Sequence, residues 1–232
     1  MKSFKFQQFE LKQSREVFRI GTDAVLLGAL ANLKDAKNVL EIGTGSGIIS
    51  LMLAQRFLDV NILALDINHD AVVLANDNFS NSIFSRRIKA IHHDFKTFKS
   101  ENLLDAIVTN PPFFEINDSS KDVLARQKLE LNFEDIVSNA SRLLTENGIL
   151  SVIIPSLEKE VFQDLAANYT LNLVREINIK GIENGELKRV ILEFSPRQDL
   201  LIVEDFIIEK APRVYSDQYL ELTKDFHVFK NK

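Results

Sequence analysis

The chain has 232 residues, 45% of them apolar, and a formal net charge of −5, which suits one α/β domain with a sizeable core. It contains no cysteine, which removes disulfides, thiolate metal sites and a cysteine nucleophile, and a reducing cytoplasm is its expected home. No stretch has the apolar length of a membrane span, Met1 to Lys5 lead into no signal-peptide core, and His69, His92, His93 and His227 stand without partners at metal-ligand spacing, so neither membrane nor metal is expected.

An acidic balance does not exclude nucleic acid, because phosphates are neutralised by a local basic surface rather than a basic whole. Residues 1–19 carry Lys2, Lys5, Lys12, Arg15 and Arg19 against Glu10 and Glu16, interleaved with Phe4, Phe6 and Phe9. Those rings are expected mainly to anchor an N-terminal arm, about 1–35, to the core, since aromatic residues usually bury their area; base stacking is the other reading. Thr22 or Asp23 is expected to cap a helix over 24–30.

Val39 to Gly47 then reads as a buried strand, 38–42, running into the glycine turn Gly43-Thr44-Gly45-Ser46-Gly47, followed by helical spacing over 47–57. Gly43 permits a tight turn, Gly45 a close approach of backbone to ligand, and Gly47 close packing of the helix near the strand. A helix N-terminus of this kind favours an anionic group. A second strand, 61–66, ends in Asp66, whose carboxylate can accept hydrogen bonds from both ribose hydroxyls of an adenosine-containing cofactor. Glu41, two residues before the first glycine, would repel a pyrophosphate and tolerate an ammonium or sulfonium. S-adenosylmethionine therefore fits better than a dinucleotide.

A helix over 68–80 leads to a strand over 87–92. Asp94 follows it, either as an acceptor for the cofactor's adenine amine or as a solvated loop acid. The strand over 103–109 ends in Asn110-Pro111-Pro112-Phe113. There the Asn110 side-chain oxygen and the Pro111 carbonyl can each accept from one NH2 group, while Pro112 stiffens the backbone and Phe113 offers a stacking face. Read alone, the same residues make a strand-ending turn. A helix over 133–144, a strand over 149–154, a helix over 157–168 and strands over 171–179 and 187–195 complete the pattern. The last two form an antiparallel pair through the turn Glu183-Asn184-Gly185, and Lys188, Arg189 and Arg197 make a second weak basic run. Alternating strands and helices imply a mainly parallel sheet with helices on both faces and ligands at the carboxyl ends of its strands.

In order, Glu41 to Gly47, Asp66, Asp94 and Asn110 to Phe113 resemble the motifs of class I amino-methyltransferases. From about residue 4 to residue 229 the chain resembles the bacterial valine-tRNA adenine-N6 methyltransferases. Phe6-Gln7-Gln8-Phe9, Ile20 to Gly28, Ala125-Arg126, Leu192 to Pro196 and Tyr215-Ser216-Asp217-Gln218-Tyr219 carry that likeness. It implies a single Rossmann-like domain over 1–232, with a seven-stranded, mostly parallel sheet and an antiparallel C-terminal strand pair. It also implies S-adenosylmethionine held by Glu41, Gly43, Gly45, Gly47, Asp66, Asp94 and Asn110. Catalysis would fall to Asn110, Pro111, Pro112 and Phe113, acting on N6 of adenine 37 in a tRNA(Val) anticodon loop. Such enzymes more commonly carry tyrosine at the position of Phe113, so stacking survives here and a phenolic hydroxyl does not.

Other readings share the device. Enzymes that methylate glutamine N5 in release factors usually carry an N-terminal helical domain, and a DNA adenine-N6 methyltransferase is expected to have a larger target-recognition region. An NAD-binding oxidoreductase lacks an evident hydride-transfer histidine or Tyr-Lys pair here, and a non-catalytic adenosine-binding module leaves the amine pocket unexplained.

Overall fold

In a computed structural model, which describes residues 2–14, 17, 21–111 and 131–227, an N-terminal hairpin of β1 (Lys2–Lys5) and β2 (Glu10–Gln13) precedes α1 (Thr22–Leu30). Then come β3 (Asn38–Ile42), α2 (Ile48–Arg56), β4 (Asn61–Asp66), α3 (His69–Ser80), β5 (Ile88–His92) and β6 (Leu104–Thr109). Beyond residue 131 follow α4 (Phe133–Leu143), β7 (Leu144–Pro155), α5 (Lys159–Asn168), β8 (Asn172–Ile182), β9 (Leu187–Ser195), β10 (Ile202–Ala211), β11 (Val214–Tyr215) and α6 (Asp217–Thr223).

Among the described residues the main sheet has nine strands, in the order β11-β10-β8-β9-β7-β6-β3-β4-β5, rather than the expected seven. From β7 to β5 the pairing is parallel. The expected antiparallel element is there, since β9 runs against both β7 and β8. The two additional strands, β10 and β11, extend the sheet past it, with β10 parallel to β8. Their sequence signal is weak because β10 is solvated over most of its length, with residues 202–205 exposed, so neither a buried apolar run nor clean alternation marks it. Gln218 of α6 covers part of the outer edge of β10: its Oε1 accepts from the Ile207 N–H at 3.0 Å and its Nε2 donates to the Asp205 carbonyl at 3.4 Å. A side chain in place of a further strand blunts that edge.

Strand parity separates two cores. Val39, Ile62, Ala64, Ala106, Val108, Ile153, Ile191 and Ile177 face α1, α2 and α3. Leu40, Leu65, Ile107, Leu150, Val152 and Leu192 face α4 and α5. Helices α1 and α2 are buried around most of their circumference, and their exposed carboxyl-end carbonyls are taken by arginines. Arg56 donates to the carbonyls of Gly28 and Ala31, and Arg87 to those of Ala54, Phe57 and Val60. Helix α1 starts at Thr22 with Gly21 as its N-cap and no side-chain cap. The expected cap by Thr22 or Asp23 is therefore absent. The Asp23 carboxylate instead pairs with Arg189 of β9 at 2.8 Å.

In the hairpin Phe6 and Phe9 are buried and stacked with centroids 4.6 Å apart, while Phe4 stays exposed. Phe6 also forms an antiparallel bridge with His227, and the Gln7 N–H donates to the Phe226 carbonyl at 2.9 Å. Buried Glu193 is structural. It accepts from the Asn32 N–H at 2.8 Å and the Ser151 hydroxyl at 3.0 Å, with Arg175 at 3.5 Å.

Candidate active site

The carboxyl ends of β5, β4, β3 and β6 stand side by side, because Ile42 pairs with both Leu65 and Thr109, and Asp66 pairs with His92. The expected site residues Glu41, Gly43, Asp66 and Asn110 are thereby brought to one edge of the sheet. The Thr109 hydroxyl, donating to the Ile42 carbonyl at 3.1 Å, ties the strand before Asn110 to the strand before the glycine turn.

The turn closes on β4. The N–H groups of Gly43 and Thr44 both donate to the Leu65 carbonyl, at 2.9 and 3.0 Å. Gly43, Gly45 and Gly47 all have positive φ, a region that costs an L side chain free energy. At Gly47, with φ of 84°, an added Cβ would also lie 2.4 Å from the ring of Phe79, so the glycine serves packing against α3 rather than against a strand.

Asp66 closes the same loop from the other side. One carboxylate oxygen accepts from the Gly45 N–H and the other from the Asn68 N–H, both at 2.9 Å. Each oxygen keeps a lone pair for another donor. Asp94 is half-buried and caps a short 3₁₀ turn, accepting from the Lys96 N–H at 2.9 Å. Its other oxygen forms a long ion pair with the Lys96 ammonium at 3.9 Å, so capping and pairing together take part of its capacity and leave lone pairs for another donor.

Glu41 is completely buried. Its Oε2 accepts from the hydroxyls of Thr44, at 2.8 Å, and Ser50, whereas Oε1 is buried without a hydrogen-bond partner among the described residues. Burial pushes the carboxyl from its ordinary 4.5 up to about 7; the hydroxyls of Ser50 and Thr44 pull it back, and the nearby Asp66 charge adds to the rise. Thr44 and Ser50 were not singled out from sequence. The signal was available, because an acid inside a buried strand demands nearby donors.

Asn110 shows a second orphan. Its Oδ1 is buried and has no hydrogen-bond partner among the described residues, and Pro111 beside it is buried. Pro112 and Phe113 lie outside the described residues. Asn78 is the residue that sequence reading missed entirely. It is 1% exposed, its amide donates to the carbonyls of Ser46 at 2.8 Å and Lys12 at 3.1 Å, and its oxygen accepts from the Lys12 N–H at 2.9 Å. It thus joins the hairpin to the glycine turn. Among the described residues no cluster of histidines and acids could hold a metal ion, and no helix is long and apolar enough to cross a membrane.

Residues 13–171 match the methyltransferase small domain family. A protein of Flavobacteriaceae bacterium (strain 3519-10), named tRNA1(Val) (adenine(37)-N6)-methyltransferase, is 48% identical over 99% of this chain and 100% of its own length. A protein of the same name from Phocaeicola vulgatus is 42% identical over 97% of each chain. Among solved structures, a predicted O-methyltransferase from Agrobacterium tumefaciens superposes with a TM-score of 0.70 at 16% identity, covering 88% of this chain and 96% of that one. A methyltransferase from Pyrococcus furiosus gives 0.60 at 16% identity, covering 81% and 89%. At such identities the structures speak for the fold alone.

Proposed function

The chain belongs to the methyltransferase small domain family and, within it, to the tRNA1(Val) (adenine(37)-N6)-methyltransferases, and from that premise we propose that it methylates N6 of adenine 37 in the anticodon loop of tRNA(Val), using S-adenosylmethionine in the cytoplasm and acting as one domain that includes its N-terminal arm. The observation that carries this reading is the buried Oδ1 of Asn110, which has no partner among the described residues, at the same sheet edge as the Oε1 of Glu41, which has none there either. A buried acceptor without a donor costs roughly 1–3 kcal/mol unless a ligand supplies one, and both the target amine and the cofactor's ammonium are donors.

The donor set suits S-adenosylmethionine. Asp66 has lone pairs left for two ribose hydroxyls, Asp94 has capacity for an adenine amine, and the turn at Gly43, Gly45 and Gly47 lets backbone approach the ligand. An acid at Glu41 favours a cationic methionine moiety over a pyrophosphate. When bound, the cofactor supplies a methyl group made electrophilic by a sulfonium.

An exocyclic adenine amine is a poor nucleophile, because its lone pair is shared with the ring. Asn110 Oδ1 and the Pro111 carbonyl would accept its two N–H bonds, hold it in place and turn the lone pair toward the methyl group. Pro112 would stiffen this acceptor pair, and Phe113 would stack on the base. No strong general base is needed, since the amine becomes acidic only as the new bond forms. An unpaired loop base reaches such a pocket at less cost than one in a duplex.

Incubation with labelled methyl donor and separate pools of tRNA, ribosomal RNA, DNA and release factor tests the reading. Label is expected on tRNA as N6-methyladenosine in nucleoside mass spectrometry. Label chiefly on protein, or on RNA as another nucleoside, would overturn it.

A further inference from the structure

Two stretches by which the chain resembles its family, Ile20 to Gly28 and Tyr215 to Tyr219, take no part in the chemistry above, yet their described residues meet. Thr22 and Asp23 of α1, Lys188 and Arg189 of β9, and Tyr215 and Tyr219 line one cleft of about 760 Å³, large enough for a nucleotide. Tyr215 is 44% exposed, and its ring is stacked on buried Tyr219 with centroids 4.4 Å apart and planes 19° apart. One aromatic is thus fixed from behind and still offers ring surface to the cleft.

The charges around it are partly settled. Asp23 is paired with Arg189 at 2.8 Å, and Glu209 accepts from the Arg213 N–H at 3.1 Å. Lys188 is exposed, and Glu186 beside it can accept from base amines. An aromatic plate, a cation and carboxylate acceptors together make the chemistry of a nucleobase site.

The cleft lies on the reactive edge. Thr109 pairs with Val152 and Ile153 with Ile191, so Arg189 stands two strands across from Asn110 and two residues further toward the carboxyl edge. With strands ~4.8 Å apart and ~3.3 Å of rise per residue, that is about 12 Å. Parity places both on the same face: Asn110 continues the row of Ala106 and Val108, and Arg189 the row of Ile191, which face α1 and α2. Arg189 is the near lip of the cleft; Tyr215, on β11 five strands from β6 and opposite Glu209, stands roughly 25–30 Å from Asn110, the distance of a base several nucleotides along the loop rather than of the adenine's immediate neighbours.

We propose that the cleft is a second nucleobase site, which holds an unpaired anticodon-loop base several nucleotides from the target adenine by stacking it on Tyr215, with its phosphate at Lys188. The inference rests on the proposed action on an anticodon loop. Its test is the binding of a fluorescent tRNA(Val) anticodon stem-loop to the whole chain, comparing wild type with Tyr215→Ala, Tyr215→Phe and Lys188→Ala. Cofactor affinity is measured by calorimetry, and folding by melting curves. Tyr215→Ala is expected to weaken RNA binding roughly tenfold or more while Tyr215→Phe leaves it near wild type. Lys188→Ala is expected to lower the salt slope by about one. S-adenosylmethionine affinity should not move.

Wild-type RNA affinity in Tyr215→Ala would overturn the proposal while leaving adenine methylation standing, as would be the case if the cleft served a protein partner. Should Tyr215→Ala melt early, an unchanged salt slope in exposed Lys188→Ala overturns it equally. A wild-type chain that methylates no tRNA would overturn the proposed function, and this inference with it.

Discussion

The two orphaned acceptors make separable demands on the chain. Glu41, with its carboxyl raised to about 7 by burial, keeps its proton in the folded state at pH values where the unfolded chain, at about 4.5, has released it. The folded state then binds more protons, so this group's contribution is full below about 4.5 and declines as pH rises to about 7, a loss of about 3 kcal/mol. Glu41→Gln should flatten that decline, read as urea midpoints of variant and wild type between pH 4 and pH 8; parallel curves would refute it. Asn110 makes the chemical demand. Asn110→Ala should leave S-adenosylmethionine affinity nearly intact while methyl transfer falls roughly 100-fold or more. Asp66→Ala should do the reverse first, weakening cofactor binding by roughly 1–3 kcal/mol in calorimetry. Near-normal turnover in the Asn110 variant would return that residue to an ordinary strand-ending turn. Glycine spacing and an acid at a strand end made these positions legible in sequence, because local backbone needs fix them. Asn78 was not legible: its partners Lys12 and Ser46 are brought to it only by the tertiary fold.

The elements were readable where burial imposes a period. The strands at 38–42 and 61–66 fall where their apolar runs end, whereas β10, half solvated, escaped, and the edge of the sheet was misjudged with it. At this scale Gly47 is the sharpest test of how α2 and α3 hold the glycine turn. Gly47→Ala places a Cβ against the Phe79 ring at a φ of 84° and should cost roughly 3 kcal/mol or more. Gly43, with nothing near its would-be Cβ, should lose only the backbone term, roughly 1 kcal/mol. Chemical denaturation of the two alanine variants compares them directly, and equal losses would show that Phe79 yields without cost.

At the scale of the whole molecule, an overall charge of −5 leaves any RNA affinity to local features, which is why composition alone could not name a partner. Binding of tRNA should accordingly weaken with salt by a modest slope, set by a few cations rather than by a basic face; a titration in rising potassium chloride measures it. The bridge between Phe6 and His227 has a meaning in time as well as in space. Gln7 and His227 are 220 residues apart, so at ribosomal speeds the hairpin waits roughly 10–40 s for its partner to be made. The glycine turn, β4 and β6 all emerge during that wait, and the sheet edge that carries Glu41, Asp66 and Asn110 can assemble before the clasp shuts. A chain halted before Phe226 should therefore already bind S-adenosylmethionine while the Phe6 and Gln7 end of the hairpin, unlike the Lys12 end that Asn78 holds, remains open to protease.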